Sequence, residues 1–189
     1  MTAIPLSELS GSYVFDPAHT RIGFVARHAM VTKVRGQFKE FEGTATIDGD
    51  DPARSSARVV LKAASIDSGV EQRDSHLRTN DFLDAPHFPE IVFESSGIEA
   101  LGGSNYRLNG NLTIKETTRP ISLDVEFDGS ARDPYGNLRL GFEGSTTINR
   151  KDFGVNWNTA LEAGGVLVSE KVVLEFDVSA IRQDEAGQS

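Results

Sequence analysis

The chain of 189 residues contains no cysteine. That excludes disulfides, thiolate metal ligands and a thiol nucleophile, and leaves the redox compartment open. Histidine is scarce, and His19, His28, His76 and His87 form no H-x-x-x-H pair or comparable cluster. A native metal site therefore lacks its three or four converging ligands. Cations are in deficit, with 19 Lys and Arg against 28 Asp and Glu and a net charge of -9. The basic footprint needed for nucleic acid or for permanent residence on an anionic lipid surface is missing. No apolar run is long enough for a spanning helix, and Met1 to Ser10 carries no basic cluster followed by seven or more apolar residues. The expectation is a chain without signal segment or stable membrane insertion, working in the cytoplasm. Ser75-His76 lacks a G-x-S-x-G elbow, and Gly102-Gly103 and Gly164-Gly165 lack the helix and lysine of a phosphate loop.

What the sequence does have is alternation with period two. Leu108, Leu112 and Ile114 alternate with Arg107, Asn109, Asn111 and Thr113, and Ile121, Leu123, Val125 and Phe127 alternate with Ser122, Asp124, Glu126 and Asp128. The same polarity runs through Ile22, Phe24, Ala26, His28 and Met30, through Leu140, Phe142, Thr146 and Ile148, and through Leu174, Phe176 and Val178. Weaker strands are expected at Tyr13 to Asp16, Gly36 to Asp48, Ala57 to Ala64 and Glu90 to Ser96. Short polar turns at Gly102 to Asn105, Lys115 to Thr118 and Asp133 to Gly136 predict hairpins in a meander.

One stretch departs from the pattern. Ser68-Gly69-Val70-Glu71 offers a capping box, Gln72 to Arg78 continues as a short helix, and Asn80 to Pro89 reads as irregular. Asp74 with Arg78, and Arg73 with Asp81 or Asp84, are expected to tie this helix and loop over one barrel end. Asn149-Arg150-Lys151-Asp152 reads as a polar corner whose Arg150 pairs with a carboxylate across the barrel, with a diphosphate contact as second choice. One domain spans residues 11-181, with loose ends at 1-10 and 182-189.

Strands with one wet and one apolar face must stack or close, and short turns favour closure. The predicted fold is all-β, a single antiparallel eight-stranded lipocalin-like barrel with a short helix and irregular loop between the middle strands. Such a barrel is either filled by side chains or holds one small ligand. Small or polar residues at inward positions, Ala26, His28, Ala57, Ala63, Gly110, Gly144 and Thr146, favour a cavity over a filled barrel acting as an interaction module. On parity the residues expected to touch a ligand are Phe24, His28, Phe38, Phe82, Phe93, Leu112, Ile114, Leu123, Val125, Phe142 and Trp157. Either a hydrogen bond to a ligand head group or a neighbouring carbonyl would satisfy an inward His28.

Several segments together resemble the YceI-like family, described as lipocalin-type polyisoprenoid-binding bacterial proteins. They are Asp16-Pro17-Ala18-His19-Thr20, Ile22-Gly23-Phe24, Arg27-His28, Arg73-Asp74-Ser75-His76-Leu77-Arg78, Asp81-Phe82-Leu83-Asp84, Phe88-Pro89, Gly110 to Ile114, Thr118-Arg119-Pro120 and Ile148 to Gly154. The resemblance spans about Tyr13 to Ile181. It implies an eight-stranded barrel, often dimeric, around a long apolar tunnel for a polyisoprenoid, quinone or fatty-acid-like lipid. It implies binding, sequestration or transport without catalysis and without a cofactor, the rival being a lipid-modifying enzyme that uses a tunnel histidine. Many members are exported, a feature this sequence does not match.

Overall fold

The computed structural model describes residues 4-159, 161 and 167-183. Its strands are β1 (Gly11–Phe15), β2 (Arg21–His28), β3 (Thr32–Phe38), β4 (Phe41–Ile47), β5 (Ser56–Lys62), β6 (Ile66–Asp67), β7 (Glu90–Gly102), β8 (Asn105–Ile114), β9 (Thr117–Arg132), β10 (Leu138–Asn149) and β11 (Lys171–Arg182), with one helix, α1 (Glu71–Leu77). β1, β4, β5, β7, β8, β9, β10 and β11 pair in that order, and β11 closes the ring on β1. β2 continues the line of β1 and pairs with β11 and β3, while β6 pairs with β3. β1 with β2, β3 with β4, and β5 with β6 are thus bent halves of single staves. Eight staves, each antiparallel to its neighbour in sequence, make the expected meander.

The first bend is built by Asp16, whose carboxylate accepts from Ala18 N at 3.0 Å, His19 Nδ1 at 2.7 Å and Arg139 Nη1 at 2.7 Å. Arg139 also donates to Asp133 Oδ2 at 2.8 Å, joining this corner to the β9–β10 turn. The bonds from Arg139 and His19 hold Asp16 at about 2. Burial pushes Asp133 upward, but the donors from Arg139, Asn137 and Tyr135 outweigh it and hold that carboxyl at about 2 as well.

Several local expectations are corrected. Residues 6–9, expected to be loose, form a 3-10 turn whose Leu9 is 1% exposed. Tyr13 Oη donates to Leu9 O at 2.6 Å, which pins the turn across one barrel end. Residues 1–3 and 184–189 of the expected loose ends, and Gly164-Gly165, lie outside the described residues. Ser68 does not cap α1 in the expected way. Instead Asp74, buried, reaches back to accept from Ser68 N at 2.8 Å and Ser68 Oγ at 2.5 Å. That engagement takes Asp74 from Arg78, which bonds Glu71 at 3.2 Å. Arg73 turns to Ser68 O and Oγ, each at 2.7 Å, while Asp81 and Asp84 bond His76 and His87, each at 2.8 Å.

The inward glycines do not leave the room expected of them. In register, Phe24 faces Gly36 and Phe176 faces Gly144, and each ring lies over its glycine. An added Cβ at Gly144 would stand 2.6 Å from Phe176 Cζ, and one at Gly110 would stand 2.5 Å from Phe93 Cζ. These glycines let aromatic rings lie flat against the wall, a recurrent device in curved sheets.

Candidate ligand cavity

The inward rows show a gradient along the barrel axis. On β10, Leu138, Leu140 and Ile148 are buried, while Phe142, Gly144 and Thr146 between them keep accessible surface. On β11, Val178 and Ala180 are buried and Val172, Leu174 and Phe176 are partly accessible. On β9, Ile121, Leu123, Val125 and Phe127 all retain accessible surface, although their outward neighbours Asp124 and Glu126 mark the wet face. Of these residues Val125, Phe127, Phe142 and Phe176 line one cavity, whereas Ile121, Leu123, Val172 and Leu174 pack on the core cluster at the other end. The barrel is packed at one end and keeps a cavity toward the other, short of the near-crystalline density of a filled interior.

The packing divides accordingly. At one end Leu9, Tyr13, Leu138, Leu140, Val178 and Ala180 form a cluster joined by Phe15, Phe127, Phe142 and Phe176. At the other, Phe38, Phe82, Phe93, Leu112, Ile114, Ile148 and Phe153 pack with Phe24, Leu123 and Trp157. A cavity of about 150 Å³ begins beneath the 3-10 turn and runs inward between Leu9, Phe15, Ala45, Leu108, Val125, Phe127, Phe142 and Phe176. Leu6, Asp48, Gly49, Pro52 and Ser55, from the turns that cover this end, complete the wall. The polar side chains of the lining, Asp48, Ser55, Ser56 and Tyr106, are few among apolar ones, so the cavity suits hydrocarbon.

Of the expected ligand contacts, Val125 and Phe142 line this cavity. Phe24, Phe38, Phe82, Phe93, Leu112, Ile114, Leu123 and Trp157 belong to the opposite cluster, at the barrel floor, and do not line the cavity. His28 shares parity with Phe24 but is exposed, because it ends β2 beyond the last register pair with β11 at Val25. The missed lining residues Leu108, Phe127, Phe176 and Val178 lie on the same inward rows that alternation reveals. Leu6 and Leu9 carry no such signal, since a four-residue turn is too short to show a period.

At the floor, His76 meets Trp157 edge-on at 4.7 Å and Phe82 at 5.1 Å between ring centroids, and its Nε2 bonds Asp81 at 2.8 Å. Arg150, 5% exposed, donates to the carbonyls of Ser169 at 2.8 Å, Val155 at 2.8 Å, Trp157 at 2.9 Å and Val168 at 3.2 Å. The expected carboxylate across the barrel is replaced by these carbonyls, which satisfy a buried guanidinium without a second desolvated charge. Burial lowers its affinity for the proton. On the outer wall Glu126, Asp128 and Glu143 bring carboxylate oxygens within 4.8 Å of one another, all exposed. Burial and Glu126 raise Asp128, and Asp128 raises Glu143.

A sheet closed on itself around a capped apolar cavity defines a small β-barrel of lipocalin type. The chain belongs to the YceI-like family, whose domain matches residues 13–180. It is 33% identical over 177 residues to a UPF0312 protein of Azotobacter vinelandii, covering 93% of this chain and 89% of that one. It matches the structure of Burkholderia cenocepacia BcnA with a TM-score of 0.77 at 26% identity, over 87% of this chain and 98% of that chain. It also shares its fold with a domain from Saccharophagus degradans described as polyisoprenoid binding, with a TM-score of 0.66 at 12% identity, over 92% of this chain and 99% of that one.

Proposed function

We propose that the barrel binds one long-chain apolar ligand, a polyisoprenoid, quinone or fatty-acid-like lipid, and sequesters or transports it unchanged. The observation that carries this reading is the apolar cavity of about 150 Å³ beneath the 3-10 turn, lined by inward residues of β8 to β11. The polyisoprenoid-binding description of the Saccharophagus degradans neighbour supports it. Removal of hydrocarbon from water stabilises the complex by about 0.8 kcal/mol per methylene-sized group. Lost translational freedom and ordering of the tail oppose it by several kcal/mol, so affinity grows with the length of chain buried. An apolar cavity of about 150 Å³ takes a ligand the size of benzene. A longer tail continues past Leu108 and Leu123, whose accessible side chains turn aside. His28, the group an acid-base mechanism would use, stands outside the lumen, which favours carriage over chemistry.

Mass spectrometry of an organic extract of freshly purified protein tests the proposal. A long apolar lipid near one per barrel is expected. An extract without lipid would favour the filled interaction module, and extracted lipid found chemically altered by the protein would favour the enzyme.

A further inference from the structure

The β2–β3 hairpin is unusual in this acidic chain. Residues 20 to 39 carry Arg21, Arg27, Lys33, Arg35 and Lys39 and no carboxylate, although the chain as a whole has a net charge of -9. Arg21 and Arg35 approach Glu175 at 4.0 and 3.6 Å, and Lys39 bonds Asp67 at 2.8 Å. Arg27 and Lys33 are direct cross-strand partners, both exposed. Like charges directly opposite one another destabilise a sheet. Between them the turn puts Ala29 at φ 51° and Met30 at φ 66°, a left-handed pair for which Asn-Gly is the unstrained choice. This backbone holds Met30 59% and Val31 75% exposed. Among the described residues the outer edge of β3 is paired only at Gln37 and Phe38, by β6.

We propose that this tip docks the barrel on an anionic lipid bilayer, with Met30 and Val31 entering the interface and Arg27 and Lys33 over the phosphate groups. Apolar tips flanked by cations match such a surface, where hydrocarbon and negative charge lie a few ångströms apart. A second copy is a poorer occupant, because it would set Arg27 and Lys33 against their own copies, and two side chains fall far short of the area a stable dimer buries. The overall negative charge does not prevent docking. Salt screens it within about 8 Å at physiological ionic strength, so the membrane meets the hairpin's local charge first. Among the described residues no helix is long and apolar enough to cross a membrane, and contact through the tip is peripheral and salt-sensitive.

The test is sedimentation with vesicles of equal phosphatidylserine and phosphatidylcholine, against pure phosphatidylcholine, at low and high salt. Binding is expected only to the anionic vesicles and is lost at high salt. R27Q/K33Q should weaken it about thirtyfold, roughly fivefold per cation. M30S/V31S should weaken it several-fold, whereas R132Q, which removes an exposed cation elsewhere, should leave it unchanged. Circular dichroism confirms that each variant is folded. Equal binding to both vesicles, no binding to either, or the same loss in R132Q as in R27Q/K33Q would overturn the proposal. Because the vesicles report on the tip alone, an empty lumen in the extraction experiment leaves this result independent.

Discussion

Val125→Phe separates a hollow barrel from a packed one by the sign of its effect on stability. Val125 points inward between Tyr106 on β8 and Gly144 on β10 and lines the cavity. An empty apolar space costs about 24 cal/mol per Å³, so the cavity of about 150 Å³ costs the unliganded protein about 3.6 kcal/mol. A phenyl ring at residue 125 fills about a third of it and should stabilise the lipid-free protein by about 1 kcal/mol. That raises Tm by about 2–4 °C for a domain of this size. The same ring removes room for about two methylene-sized groups of ligand, worth about 1.6 kcal/mol, or roughly fifteenfold in affinity. Scanning calorimetry of delipidated protein reads the first effect, and displacement of a fluorescent fatty-acid probe reads the second. Were the position already packed, the larger side chain would cost about 1–3 kcal/mol. A lower Tm together with unchanged probe binding would therefore refute the reasoning.

Gly144→Ala should be destabilising by about 1–3 kcal/mol in thermal denaturation, because its Cβ collides with the Asp124 carbonyl oxygen and with the Phe176 ring. The ring can swing into the lumen but the carbonyl cannot, so a neutral effect would mean that β9 and β10 are not held in this register. Arg139→Met should weaken the fold at neutral pH. Asp16 and Asp133 are held at about 2, below the ordinary 3.8. Depressed carboxyl pKa values contribute stability above the unfolded value that is lost as pH falls through the folded one. The stability difference between wild type and R139M, read by urea titration, should therefore shrink from about pH 4 to pH 2. Arg150→Ala strands the carbonyls of Val155, Trp157 and Ser169 at the barrel floor, while Val168 O keeps Asn158 Nδ2 at 2.7 Å; each stranded group costs about 1–3 kcal/mol if left dry, so stability should fall by at least about 3 kcal/mol. A change within experimental scatter would show that water replaces the guanidinium freely.

The barrel was legible where one face of a strand is wet. From β8 through β11 the outward row is mostly polar, so Leu123, Val125 and Phe142 could be assigned inward without knowing any partner strand. Parity failed at His28, because alternation continues in the sequence past the point where β2 leaves β11. It was silent where staves bend, as at Lys39-Glu40 between β3 and β4. The pairing of Phe176 with Gly144 needs the register of two strands separated by about thirty residues, which no local pattern supplies. Arg150 misled for a different reason. Charge counting looks for carboxylates, whereas its acceptors are backbone carbonyls at residues 155, 157, 168 and 169, which every sequence possesses. Several of the segments that carry the family resemblance turn out to build corners. Asp16 bends the first stave, Arg73 and Asp74 hold α1, and Asn149 accepts from Lys151 N at 3.0 Å at the end of β10. None of these residues lines the cavity, which is why the motifs identify the family and say little about the ligand.

A crystal structure of protein purified without detergent and loaded with its own extracted lipid tests the central claim most directly. The hollow-barrel account predicts continuous density that starts beneath Leu9 and passes between Val125, Phe142 and Phe176 toward Leu123. Density confined to the outer surface, with Phe142 and Phe176 closed across a filled interior, would contradict it.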